Sequence, residues 1–325
     1  MTARWVIKRV SAGLVALFAA MVLNFAIPRL MPGTPIDDVF TGGIELTQDA
    51  RDALRERFGL NAPLWEQFWR YIVNGARGDF GLSFTYFPMP VWDVIMQALP
   101  WTVLVFGSSL VLQVGIGYFL GVAAAWKVGT KIDSILQTWS MVLFSIPVFW
   151  LAMVFLYIFG FQLEWVPLGG VLTVGATYSG IQEYAIDVIR HAALPIVVLT
   201  VSRYAAYQII LRNTMVSVLK EQYILTAEAK GLSSRRIKHR HAARNALLPM
   251  ITYLALNMAT AIGGSVFVES VFSYQGLGKL IYDSVMSRDY PLLQGCFFMF
   301  SLLVIVANIV IDLIYLYLDP RIRYG

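Results

Sequence analysis

Six stretches of mainly apolar residues constrain this chain more than any other feature: Val10–Leu30, Pro100–Ala125, Ser134–Phe161, Ala192–Leu211, Leu247–Val268 and Leu292–Leu318. Each meets the length of about 20 residues that a helix needs to cross bilayer hydrocarbon. No water is present there to satisfy backbone N–H and C=O groups, so each segment must satisfy its own by folding as helix. The expected fold is all-α, a polytopic membrane protein with about six transmembrane helices. Charged residues are only 14% of the sequence, against about 25% in a soluble globular protein, which argues against a large aqueous core.

Charge gives the direction of threading. Lys127 and Lys131 lie between the second and third stretches, and Arg212, Lys220, Lys230, Arg235, Arg236, Lys238, Arg240 and Arg244 between the fourth and fifth. Arg321 and Arg323 end the chain, and Arg4, Lys8 and Arg9 begin it. Alternating spans put all of these on one side, which the positive-inside rule makes cytoplasmic, with both termini there. The opposite loops carry Glu164, Glu183, Asp187, Asp283 and Asp289. The net charge of +5 follows from this flanking pattern, so no nucleic-acid partner is expected. The first stretch resembles a signal peptide, but it is too long for such an apolar region and no small-x-small cleavage site follows it. It is expected to stay as an uncleaved span.

Residues 32–99 then form a long extracytoplasmic loop with amphipathic pieces. Thr47 can cap a helix whose apolar face is Ala50, Ala53, Leu54 and Phe58, ended by Gly59. Pro63 fits a helix first turn, with Leu64, Trp65, Phe68, Trp69 and Ile72 behind it and Gly75 closing it. The aromatic residues suit packing against the bundle or anchoring at a membrane interface.

Reactive chemistry is hard to find. A phosphate-binding loop needs GxxxxGK[ST] after a strand; Gly276-Leu277-Gly278-Lys279-Leu280 fails in spacing and lacks the hydroxyl. The single cysteine, Cys296, excludes an intrachain disulfide, and the histidines His191, His239 and His241 show no metal-ligand spacing. No nucleophile elbow or HExxH motif is present. No catalytic residue, metal or cofactor is therefore expected in this chain. Three charges fall within or beside the spans: Arg203, Asp312 and Glu269. A central arginine is costly, so Arg203 must find an acidic partner, water or an anionic substrate group. Arg203 and Asp312 are the candidates for a translocation path or a buried ion pair. Pro147, Pro195 and Gly263-Gly264 are candidate bend or close-packing sites in spans three to five.

One polar island interrupts the apolar pattern, YILTAEAKGLSSRRIKHRHAARNALLP from Tyr223 to Pro249. Glu221 to Lys230 reads as a helix, Gly231 as a left-handed stop, and Ser233 or Ser234 as the cap of a second helix. A glycine-broken helix pair protruding from a membrane bundle is a docking shape.

The island resembles the cytoplasmic signature of binding-protein-dependent ABC importer permeases. The matching residues are Thr226, Ala227, Glu228, Ala229, Lys230, Gly231 and Leu232, then His241, Ala242, Arg244, Asn245, Ala246, Leu247 and Pro249. The wording is similar to the dipeptide/oligopeptide (peptide/nickel) branch; the family's first signature residue is often acidic, and Leu225 stands near that place here. Gly78-Asp79-Phe80-Gly81-Leu82-Ser83, the run from Glu269 to Phe272 with Gly276-Leu277-Gly278, Arg288-Asp289-Tyr290-Pro291, and Asp319 to Tyr324 resemble further elements of that branch.

The resemblance implies a type I ABC importer permease fold in the cell (inner) membrane. It divides the chain into a first transmembrane helix (1–31), an extracytoplasmic cap region (32–99), a permease core (100–318) containing a coupling segment (221–249), and a cytoplasmic tail (319–325). It implies a homologous second permease subunit, two ABC ATPase subunits that carry ATP and magnesium, and an extracytoplasmic solute-binding protein as partners. ATPase coupling would fall to Tyr223, Thr226, Ala227, Glu228, Ala229, Lys230, Gly231 and Leu232. The solute implied is a dipeptide or oligopeptide, with oligosaccharides or a nickel chelate as alternatives carried by the same machinery. A gradient-driven carrier without an ATPase, a membrane enzyme and a scaffold for another motor are the competing readings.

Overall fold

The computed structural model of the chain describes residues 3–30, 56 and 61–318. The helix expected after Thr47, with its apolar face and its stop at Gly59, and the terminal Asp319–Tyr324 element lie outside the described residues. Among the described residues, four helices are long and apolar enough to cross a membrane: Ser11–Arg29, Val91–Trp126, Ile181–Val218 and Tyr290–Ile311. Two bent pairs bring the number to six if each pair is one span: Lys131–Ser145 with Val148–Gln162, at 97°, and Ser234–Met258 with Gly263–Val271, at 67°. The protein is an all-α polytopic membrane protein.

The first bend has a direct cause in the sequence. Pro147 has no N–H to continue the helix and disfavours helical backbone at the preceding residue. Ile146 is accordingly extended, at φ −82° and ψ 126°. By contrast, Pro195 sits buried inside the unbroken helix Ile181–Val218. The second bend falls between Met258 and Gly263, adjoining the glycine pair.

The helices gather in two units. The first comprises residues up to Thr102 together with Gln275–Val306. It contains α1 (Ala3–Arg29), α2 (Leu64–Ala76) and the start of α3 (Val91–Trp126). Its core joins Val91, Ile95, Leu277, Leu292, Leu293 and Cys296. Helix α2 is amphipathic in the expected way but divides its aromatics. Phe68 meets Phe25 of α1 edge-on at 5.1 Å, whereas Trp65 and Trp69 are 72% and 63% exposed. Gly75 does not close it: the helix runs to Ala76, and Gly78, at φ 78°, makes the left-handed turn. Two of the motifs noted in the sequence meet here. Buried Asp289 accepts hydrogen bonds from the Ser83 hydroxyl and from the N–H groups of Thr85 and Leu292.

The second unit comprises Val103–Tyr274 and the segment beginning at Ala307. It contains the rest of α3, then α4 (Lys131–Ser145) and α5 (Val148–Phe155) with its π-helical continuation Leu156–Gln162. Helix α6 (Ile181–Val218) follows. Glycines let α3 and α6 approach closely. A Cβ on Gly117 would lie 2.5 Å from Tyr207 Cβ, and one on Gly121 would lie 2.9 Å from the Gln208 carbonyl oxygen. This small-xxx-small seam replaces the hydrophobic drive that lipid removes between membrane helices. Outside the spans, the Tyr178 hydroxyl donates to Asp187 at 2.7 Å, which pushes its pKa up to about 12.

Candidate functional site

The polar island folds as an elbow. Helix α7 (Gln222–Ala229) is followed by a single turn, α8 (Ser234–Arg236), and a π-helical turn, Ile237–Ala242. These run without a break into α9 (Ala243–Val271), so the second helix of the expected pair is the entry to the next span. Ser233 holds the cap position by backbone geometry, yet its side chain makes no capping bond; its carbonyl instead accepts from Arg236 and Ile237 at 2.9 and 3.0 Å.

Gly231 ends α7 as expected, at φ 71°. The Gly231 N–H donates to the Glu228 carbonyl at 2.8 Å, and the Leu232 N–H to the Ala227 carbonyl at 3.2 Å. Those two bonds satisfy carbonyls that a helix end otherwise leaves open, and they define a Schellman stop. Leu232 and Ala227 meet in the same apolar cluster, which completes the motif. The left-handed backbone favours glycine because a Cβ crowds the following carbonyl.

The elbow is anchored along one face. Ile224 and Ala227 are buried beside Val122 of α3, Leu211 and Met215 of α6, and Met250 of α9. Asn245 donates from Nδ2 to the Tyr223 hydroxyl at 2.6 Å, tying α7 to the returning helix. The other face stays open: Leu225, Thr226, Glu228, Ala229 and Lys230 are exposed. Of the two alanines in the coupling set that the resemblance implies, Ala229 is on this open face and Ala227 faces inward. An anchored inner face and an open outer face make the elbow a rigid extension of three long helices.

Below the elbow, Arg212 of α6 grips Asp133 of α4 through Nε at 3.1 Å and Nη2 at 2.6 Å. The Gly129 N–H adds a third bond to the same carboxylate at 3.1 Å. In the sequence Arg212 reads only as one of the basic residues that set the orientation, and Asp133 is not singled out. The residues 79 positions apart carried no local signal beyond an aspartate at a helix start.

The membrane charges are distributed as follows. Arg203 of α6 lies against Gly264 of α9, where an added Cβ would stand 2.9 Å from Nη2. One turn along α6, the Tyr207 ring meets Tyr253 of α9 edge-on at 5.4 Å. Glu269, expected at the end of a span, is wholly buried. Asp312 belongs to α11 (Tyr290–Leu318), which follows α10 (Leu277–Met286); its side chain lies outside the described residues, and so does any pairing with Arg203. Among the described residues no group of three His, Cys, Asp or Glu side chains is placed to hold a metal ion.

Residues 117–324 match the family model described as "Binding-protein-dependent transport system inner membrane component". The chain is 35% identical over 322 residues to the oligopeptide transport system permease protein AppB of Bacillus subtilis (strain 168), covering 99% of this chain and 100% of that one. It is 36% identical over 321 residues to the glutathione transport system permease protein GsiC of Escherichia coli (strain K12), covering 98% and 99%. The di/tripeptide transport system permease protein DppB of Pseudomonas aeruginosa (strain UCBPP-PA14) is 32% identical over 333 residues, with 98% of each covered. In fold, the chain is similar to one from the inward-facing MetNI methionine ABC transporter, with a TM-score of 0.56, 16% identity, and coverage of 70% of this chain and 96% of the other.

Proposed function

This chain belongs to the family of binding-protein-dependent transport system inner membrane components, and from that premise we propose that it forms half of an import path for dipeptides or oligopeptides. It is a multi-pass permease subunit of an ABC importer in the cell membrane, and it is not itself an enzyme. The peptide reading is supported by relatives named for oligopeptide, di/tripeptide and glutathione transport, each aligned over nearly the whole chain.

The observation that carries the coupling role is the elbow's two faces. Ile224 and Ala227 root it on α3, α6 and α9, while Thr226, Glu228, Ala229 and Lys230 remain open for an ATPase subunit. The partners in this reading are a homologous permease, two ATPase subunits that bind ATP and magnesium, and an extracytoplasmic binding protein that delivers the solute. Both termini and the elbow are cytoplasmic, as the basic loops require, and residues 32–99 are extracytoplasmic. The permease is of type I. Closure of the ATPase subunits displaces the elbow. Because its inner face is packed on three long helices, they move with it and open the path alternately to each side. Arg203 lies along that path and contacts either an acidic partner or an anionic group of the solute.

Proteoliposomes containing both permeases and the ATPase subunits, supplied with the binding protein, test this reading. ATP-dependent uptake of labelled dipeptides or oligopeptides is expected. Uptake by this chain in vesicles with no ATPase present would overturn it.

A further inference from the structure

A basic cleft lies beside the elbow, apart from its open face. Its volume is about 540 Å³, and Tyr118 and Phe119 of α3 line it with Arg235, Arg236, His239 and Arg240. No carboxylate is among the lining residues. The three arginines are exposed, and Arg236 and Arg240, four residues apart, come to the same side of the helical turn. At the base, the Tyr118 hydroxyl and His239 Nδ1 are 3.1 Å apart, which fixes the island against α3.

The cleft continues into an apolar strip. Phe119 is 67% exposed, and Ile116 and Leu112, also exposed, precede it on the same helix face. From Phe119 to Leu112 the helix rises about 10 Å along a membrane-spanning segment. A soluble anion would account for the arginines and leave the strip unexplained. A neutral lipid would account for the strip and leave the arginines unexplained. A ligand carrying a phosphate at one end and a long hydrocarbon chain at the other uses both.

We propose that this cleft is a binding site for an anionic phospholipid, with its phosphate held by Arg235, Arg236 and Arg240 and one acyl chain laid along Phe119, Ile116 and Leu112. Basic pockets at the ends of membrane helices recognise anionic headgroups in this way. Assignment to the cytoplasmic leaflet rests on the orientation proposed above; the presence of the site does not.

Native mass spectrometry of the intact permease–ATPase assembly tests the site, with phosphatidylglycerol and phosphatidylcholine of identical chains as probes. The wild-type assembly is expected to retain phosphatidylglycerol at least fivefold over phosphatidylcholine. Two variants, the double Arg236→Gln/Arg240→Gln and the single Phe119→Ser, are expected to cut that retention at least threefold with the ATPase subunits still bound. Glycerol phosphate at equal concentration is expected to leave the lipid in place. Equal retention of the two lipids, unchanged retention in both variants, or displacement by glycerol phosphate would each overturn the proposal. Loss of ATPase subunits with lipid retention unchanged would assign the arginines to a protein contact and overturn it too. Lipid counts do not depend on leaflet, so a wrong orientation shows separately, as protection of Lys238 from a membrane-impermeant amine reagent in inside-out vesicles.

Discussion

Arg212 clasps Asp133 with two sides of its guanidinium, Nε on one carboxylate oxygen at 3.1 Å and Nη2 on the other at 2.6 Å. The pair joins the start of α4 to the last turns of α6, just before the chain enters the elbow. Asp133 is 4% exposed, so removing its charge leaves the arginine uncompensated. Loss of one partner of a buried pair costs about 3–5 kcal/mol, and Asp133→Asn is expected near the lower end because the Arg212 side chain keeps 20% exposure. Thermal unfolding of the purified protein in detergent checks this. Adding Arg212→Gln should recover part of the loss, and strictly additive losses would count against the pair.

The α3–α6 seam gives a second expectation. At Gly117 any side chain meets Tyr207 Cβ and backbone atoms of α6, none of which can swing away. Overpacking costs about 1–3 kcal/mol, so Gly117→Val should lower the unfolding temperature and the yield of membrane-inserted protein. Gly115, two residues earlier, has nothing within 4 Å of an added Cβ, and Gly115→Val should be close to neutral in the same assay.

In the membrane interior, Gly264 leaves room for the Arg203 guanidinium. Arg203→Leu is expected to lower solute uptake at least tenfold in proteoliposomes, and Gly264→Val should do the same by pushing the guanidinium aside. The matching control is Gly263→Val, since nothing stands within 4 Å of a Cβ at that position. Full assembly and full uptake in Arg203→Leu would remove both the path role and the ion-pair role.

Gly231 provides the mechanical expectation. Nothing lies within 4 Å of a Cβ at this position, so a substitution acts through its left-handed backbone alone. Gly231→Val should insert and assemble normally but raise the ATP hydrolysed per solute taken up. Asparagine tolerates this conformation, and Gly231→Asn should stay closer to wild type. Normal coupling in Gly231→Val would count against a rigid lever.

Much of this architecture was legible because membranes simplify the code. A bilayer demands long apolar helices, and four of the six stretches fall in such helices, while the third and fifth fall in the two bent pairs. Gly231 and Pro147 could be read locally, since each imposes its backbone geometry without help from distant residues. The helix ends ran past the apolar stretches, as in Ile181–Val218, because backbone hydrogen bonding continues after the hydrocarbon ends. Distant partnerships were hidden. The approach of Gly117 to Tyr207, the Asp133–Arg212 pair and the meeting of Ser83 with Asp289 depend on which helices become neighbours. The inward turn of Ala227 was hidden for a related reason: one alanine among several shows its side only when the helix is rooted.

Cross-linking from the elbow's open face tests the central claim most directly. Cys296, the chain's single cysteine, is fully buried, so Thr226→Cys supplies one accessible thiol. In the intact assembly, a short bifunctional maleimide should join Thr226→Cys to an ATPase subunit carrying a surface cysteine. Val174→Cys, 99% exposed in the loop before α6, should give no such product. Efficient labelling of Thr226→Cys by a soluble maleimide, with no ATPase-linked product from any exposed position of α7, would contradict the coupling role.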